Sequence, residues 1–174
     1  CDESSFGEIS DMLNSNQVGI GLAINPDTEL PQWCYKFVEL LDQVIIMSVV
    51  PGKSGQKFIE STHEKTRRVT KDLREHKFEG YIEADGGVNL ENIGACFEDG
   101  ARAFVGGSAI IGQNDVRMII KEFRNQVLES RRRLLIKKAH DLGGTELVNS
   151  WIDLHVVGEK KDKLVQIAKE LGFQ

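Results

Sequence analysis

The chain has 174 residues, 40% hydrophobic and 28% charged, the make-up of one ordinary globular domain with room for a sizeable core. A net charge of −5 argues against a general nucleic-acid-binding surface, although RRRLLIKK (131–138) is locally basic. Cys1, Cys34 and Cys96 have no CxxC spacing and cannot all pair, which points to reduced thiols and a cytoplasmic setting; no apolar run approaches membrane-spanning length.

The chain opens on Cys1 rather than Met, as expected of a processed, truncated or excerpted chain, and no signal-peptide pattern is visible. VGIGLAI (18–24) is short, apolar and β-branched, and NPDT behind it reads as a turn and helix cap. CYKFVELLD (34–42) has helical spacing, with Phe37, Leu40 and Leu41 on one face. QVIIMSVV (43–50) is an unbroken run of strand length ended by PGKSGQ. Residues 59–77 read as a charged surface helix. YIEA (81–84) predicts a strand, NLENIGACFEDG (89–100) a short helix, RAFVGGSAI (102–110) another strand, and 116–128 an amphipathic helix. Strand and helix thus alternate four times. Strands apolar on both sides and separated by helices predict a parallel sheet with both faces covered. Gly19, Gly21, Gly106 and Gly107 fall inside strand patterns and suggest close backbone approach.

Residues 129–174 differ in character. A basic helix runs on to the break at GGTE, WIDLHVV (151–157) reads as a further strand, and KKDKLVQIAKELGF as a closing helix with Gly172 as its cap. We therefore expect a βα domain over 1–128 and an added helix and βα unit over 129–174. His63, His76 and His140 lie in charged helical stretches and are expected to be solvated. Trp33 and Trp151 read as packing residues, and the RRR run as a solvated helix face.

Three strand exits are rich in glycine: PGKSGQ (51–56), DGGV (85–88) and GGSAI (106–110). A bare backbone beside a helix start lets amide N–H groups approach an anion, most often phosphate, whereas a single such loop would be an ordinary turn. Three in succession at the carboxyl ends of parallel strands favour phosphate binding. Asp85 is the one carboxylate among them. It could cap the next helix, but Asn89 is available for that, which leaves Asp85 for proton abstraction beside a carbonyl or for metal ligation.

GLAINPDT (21–28), VIIMSVVPGKSGQKF (44–58), IEADGGVN (82–89) and GARAFVGGSAII (100–111) together resemble the ribulose-phosphate 3-epimerase family, in its order and spacing, over residues 1–127. The resemblance implies a (β/α)8 TIM-type barrel lacking its N-terminal strands. It implies interconversion of D-ribulose 5-phosphate and D-xylulose 5-phosphate by metal-assisted proton transfer at C3. Asp85 would be general acid and metal ligand, for zinc, iron, manganese or cobalt without distinction. Met47, Gly52, Lys53, Ser54, Gly55, Gly86, Gly87, Gly107 and Ser108 would hold the phosphorylated ketose, with no nucleic acid or membrane as partner. CDES at the start aligns with the family's H-x-E-A, placing Cys1 where a His is usual.

The chain also departs from the family. Val50 stands where Glu or Asn is usual, and Lys53 and Ser54 where Phe and Gly are. No H-x-D motif is present, and the first catalytic aspartate is missing. Four strands make half a barrel, with an exposed inner face and two open edges, so homo-oligomerisation or association with an N-terminal half is expected. WIDLHVV resembles the family's third βα unit. On that reading the tail is a permuted barrel segment and His155 a metal ligand; the other reading is an ordinary structural histidine. The alternative functions are a non-catalytic or truncated sugar-phosphate-binding half-barrel and a related hexulose-phosphate epimerase.

Overall fold

A computed structural model of the protein describes residues 2–53 and 55–141. The chain divides into two compact units, Cys1–Val127 and Leu128–Gln174. Ser54, the predicted strand at 151–157 with Trp151 and His155, and the closing helix lie outside the described residues.

The first unit begins with a helix, α1 (Glu3–Ser15), which the sequence reading did not expect. Asp2 caps it, its Oδ1 accepting the Ser5 N–H at 2.9 Å. Phe6, Ser10 and Leu13 recur at helical spacing, and the Phe6 ring packs on Trp33 and Phe37 at centroid distances of 5.2 and 5.3 Å. Trp33 is thus a packing residue.

Four parallel strands follow: β1 (Gly21–Ile24), β2 (Gln43–Met47), β3 (Tyr81–Asp85) and β4 (Ala103–Val105). They lie in the order β1-β2-β3-β4, each beside its predecessor in sequence. Doubly wound sheets reverse their strand order at a switch point, whereas a barrel winds in one direction, so this is the order of a barrel segment. Helix α2 (Ser61–Glu75) links β2 to β3, α3 (Ile93–Asp99) links β3 to β4, and α4 (Gly107–Ile111) and α5 (Val116–Asp141) come after β4.

Several expected elements are corrected in detail. Of residues 34–42, those up to Leu40 belong to a 3-10 helix, Gln32–Leu40, which buries Cys34 and Val38 and leaves Leu40 exposed, and Leu41 is already extended. NPDT forms a turn, with the Thr28 N–H donating to the Asn25 carbonyl at 3.1 Å, but it caps no helix, since the next one starts at Gln32. The predicted strand at 102–110 is three strand residues followed by α4. Helix α2 is less a surface helix than its charge suggests: Thr62, Thr66, Val69 and Leu73 form a buried stripe, and Lys65 is buried with them. The Lys65 ammonium donates to the Asn25 carbonyl and, at 2.5 Å, to that of Thr28, clamping the exit of β1. Burial lowers its pKa.

The expectation of two covered faces also fails. In-register Ile24, Ile46 and Ala84 share one side of the sheet, as do Val44 and Ile82, and all join the core with residues of α1, α2, α3 and α5. The opposite side carries Gln43, Ile45 and Met47 on β2, Tyr81, Glu83 and Asp85 on β3, and Ala103 and Val105 on β4, none of them buried. Among the described residues β1 and β4 each pair on one side only. Apolar strand composition signalled burial without saying how many faces this unit could bury.

Candidate functional site

Met47, Asp85 and Val105 stand in one cross-strand row at the carboxyl end of the open face. Asp85 is therefore the last strand residue before the DGG turn, on the side away from the helices. Among the described residues no hydrogen bond or ion pair engages its carboxylate, and it caps nothing. Capping falls to Asn89 and Asn92. The Asn89 side-chain oxygen accepts the N–H groups of Glu91 and Asn92 at 2.8 and 3.2 Å, while that of Asn92 accepts the Asn89 N–H at 2.8 Å. The Asn92 amide also donates to the Gly87 carbonyl at 3.1 Å, pinning the turn from below. Two residues before Asp85 on the same face, Glu83 accepts a hydrogen bond from the Gln43 amide at 2.6 Å. Burial, and then the neighbouring Asp85 charge, raise the Glu83 pKa, with the Gln43 hydrogen bond opposing them.

The two glycines of IEADGGVN now have a geometric reason. Gly86 and Gly87 have φ of +115° and +65°, in the left-handed region. A Cβ on Gly86 would come within 2.4 Å of a Val49 methyl carbon, and one on Gly87 within 2.5 Å of the Phe58 nitrogen. The β3 exit thus lies flat against the loop that leaves β2. Ser48 locks the two together: its N–H donates to the Asp85 carbonyl at 2.7 Å, and its buried hydroxyl lies 2.7 Å from the Gly86 carbonyl. Ser48 was not singled out from sequence. The signal was there, because a hydroxyl inside an apolar run needs a buried partner.

Beyond this seam a cleft of about 720 Å³ opens between the three exits, lined by residues 56–58 after β2, 87–89 after β3 and 107–109 after β4, with Glu60, His63, Glu91 and Asn92 on its walls. Three of the predicted residues, Gly87, Gly107 and Ser108, line it directly. A Cβ on Gly107 would meet nothing within 4 Å, so this backbone faces open space. Gly86 packs beneath the cleft. Gly52, Lys53 and Gly55 do not line it; they form the exposed tip of a loop that Gln56 closes by donating to the carbonyls of Val50 and Lys53 at 2.6 and 2.8 Å. Lys53 therefore adds no charge to the cleft wall, whereas Lys57 does.

One expectation is overturned on this wall. His63 is not solvated: its side chain is 16% exposed, its Nδ1 lies 2.5 Å from Asp99 Oδ2, and its ring packs on Phe58 at 4.8 Å. Asp99, 5% exposed, also accepts from Arg67 at 2.6 Å. No local signal could have found a pair 36 residues apart. His76 is exposed, its ring stacked on Tyr35 at 4.0 Å, and the His140 side chain lies outside the described residues. Cys34 and Cys96 are buried free thiols, pushed by burial up to about 11 and about 12, and hence poor nucleophiles.

A profile of the ribulose-phosphate 3 epimerase family matches residues 6–111, more than half of the chain. The chain belongs to the ribulose-phosphate 3-epimerase family. It is 40% identical over 116 residues to the ribulose-phosphate 3-epimerase of Escherichia coli strain K12, covering 67% of this chain and 51% of that protein. To the enzyme of the same name from Buchnera aphidicola subsp. Schizaphis graminum it is 41% identical over 107 residues, 62% of this chain and 46% of that one. To that of Methanocaldococcus jannaschii it is 34% identical over 118 residues, 68% and 50% of the two chains. The chain thus spans about half the length of the curated relatives it matches. The fold of the ribulose-phosphate 3-epimerase family is the (β/α)8 barrel, and the four described strands are a consecutive segment of one. No helix among the described residues is long and apolar enough to cross a membrane.

Proposed function

We propose that this chain carries the phosphate-holding part of a ribulose-phosphate 3-epimerase site, acting on D-ribulose 5-phosphate and D-xylulose 5-phosphate in the cytoplasm, within pentose phosphate metabolism. The observation that carries this reading is the meeting of the β2, β3 and β4 exits on one cleft, with Gly87 and Gly107 in its lining, in a member of this family. The amides of Gly87, Gly107 and Ser108 hold the phosphate, and Gly86 sets the turn that presents them. Gly52, Lys53, Ser54 and Gly55 belong to the substrate-holding set that the family resemblance implies. Met47 then lies beside the sugar chain, and Asp85 beside its reactive carbon.

The chemistry is proton transfer next to a ketone. A base removes the C3 proton from one face of the sugar, and an acid returns a proton to the other, inverting that carbon. Asp85 is one of the two groups; its lack of hydrogen bonds among the described residues suits a carboxyl that must gain and lose a proton. Its counterpart on the opposite face comes from outside the described residues. Asp85 can supply one oxygen ligand to a divalent metal ion. Among the described residues no group of three or more His, Cys, Asp or Glu side chains could hold such an ion, so these residues alone do not fit a complete metal site, and no step is derived through one.

The open sheet face implies completion of the barrel, by association with an N-terminal half or with a second copy of the chain. On this reading residues 1–128 are the barrel segment, and residues 129–174 an added helix and βα unit. The experiment follows the C3 proton of D-ribulose 5-phosphate by NMR in D2O, with the full chain assembled into the completed barrel and a divalent metal. Exchange is expected, and Asp85→Asn should slow it by at least ~10²-fold. Failure of the unaltered chain to catalyse exchange, or undiminished exchange by Asp85→Asn, rejects the mechanism.

A further inference from the structure

The wall formed by His63 is unexplained by the reading above. Family resemblance gave no reason to expect a histidine there, and its partner Asp99 is on another helix. The ring is fixed from three directions: Asp99 holds Nδ1, Phe58 lies against its face, and the α2 backbone sets its root in the first turn of that helix. Asp99 is in turn held by Arg67. A carboxylate only accepts, so the Nδ1 proton belongs to His63, and Nε2 is the ring's remaining polar atom. His63 lines the same cleft as Gly87, Gly107 and Ser108. Among the described residues the charged group beside Nε2 is the Glu60 carboxylate, 3.8 Å away on a side chain 83% exposed, too distant for a hydrogen bond. The other charges lining the cleft are Lys57 and Glu91.

We infer that His63, oriented by Asp99, is an anion-binding residue of this cleft, its Nε2–H donating to the phosphate of a bound sugar phosphate. The inference rests on the reading of the cleft as a phosphate site and adds a side-chain donor to its backbone amides. With Nδ1–H donating to the Asp99 carboxylate and Nε2–H to a phosphate, the ring is a donor at both nitrogens, and both of its acceptors are anionic. His63 is the binding residue and Asp99 the positioning residue. Glu60 competes with the ligand for Nε2.

The test uses the full chain, with inorganic phosphate and then D-ribulose 5-phosphate as probes at fixed pH. Backbone amide shifts of Gly87, Gly107 and Ser108 report the cleft, and the ring nitrogen shifts report His63. Both sets are expected to move together on titration. His63→Asn keeps a donor to Asp99 but has no atom at Nε2, and should weaken binding about tenfold or more; His63→Gln, which restores an N–H there, should recover part of it. Asp99→Asn should change the ring nitrogen shifts before any ligand is added, and Glu60→Gln should bind as well or better. If the three amides move while the ring nitrogens stay put, or His63→Asn binds as the unaltered chain does, the inference fails and the phosphate site stands. If the amides of the unaltered chain do not respond, the phosphate site itself is wrong, and this inference goes with it. The ring nitrogen shifts of the unaltered chain decide the matter even where a variant does not fold.

Discussion

The two faces of the four-stranded sheet are made by the same strands and do opposite things. Val44, Ile46, Ile82 and Ala84, on the helix side, are at most 4% exposed. One residue along each strand, the other side presents Gln43, Ile45, Met47, Glu83 and Asp85, all only partly covered. Stability is concentrated on the first face, and the ionisable groups of the strands on the second. Because strand side chains alternate with period two, the chain supplies both without conflict. The contrast also explains how a carboxylate at the strand end can be left without a structural partner among the described residues: nothing in their core depends on it.

The sharpest test of that division sets neighbours against each other. Ile46→Ala should cost about 3 kcal/mol of stability in denaturant unfolding, while Ile45→Ala on the open face should cost below about 1. Equal losses would mean that the open face is buried in solution. Next comes the seam that joins the two exits. Gly87→Ala puts a side chain at a left-handed position and against the Phe58 backbone, and should cost about 2 kcal/mol while weakening phosphate binding in the cleft.

A smaller effect has a definite sign. The Glu83 pKa is raised, so the folded state holds that proton more tightly than the unfolded chain does. Glu83 therefore subtracts stability as pH rises through its folded value. Glu83→Gln should stabilise the protein slightly at pH 7, with the gain disappearing below the ordinary glutamate value of 4.5, as thermal melts across pH would reveal. Smallest of all, Asp85→Asn should leave stability within about 0.5 kcal/mol of the unaltered chain. A larger loss would make Asp85 a structural residue and remove the contrast on which its chemical role depends.

Much of the local order was legible in the chain. QVIIM and YIEAD read as strands because β-branched and apolar residues recur without a helical period, and DGGV read as a close backbone turn because two adjacent glycines rarely serve anything else. Helix α1 was missed although its cap, Asp2 with Ser5, was in plain view. Its apolar residues, Phe6 and Leu13, are too few to announce a helix until Trp33 and Phe37 close over them. Residues 34–42 went the other way, since their spacing suits a helix of either pitch; the helix is the tighter one, buries Cys34 and Val38, and ends before Leu41.

The alternation of strand and helix, and with it the expectation of a parallel sheet, and the nearness of Asp85 to glycines follow from residue types and their spacing, because those are short-range properties of a chain. Three things needed coordinates: that the exits share one cleft, that Lys53 stands apart from it, and that His63 meets Asp99 across 36 residues. Each is a contact between segments far apart in sequence. Such contacts are chosen by the packing of α2 and α3 on one face of the sheet, which no local pattern encodes.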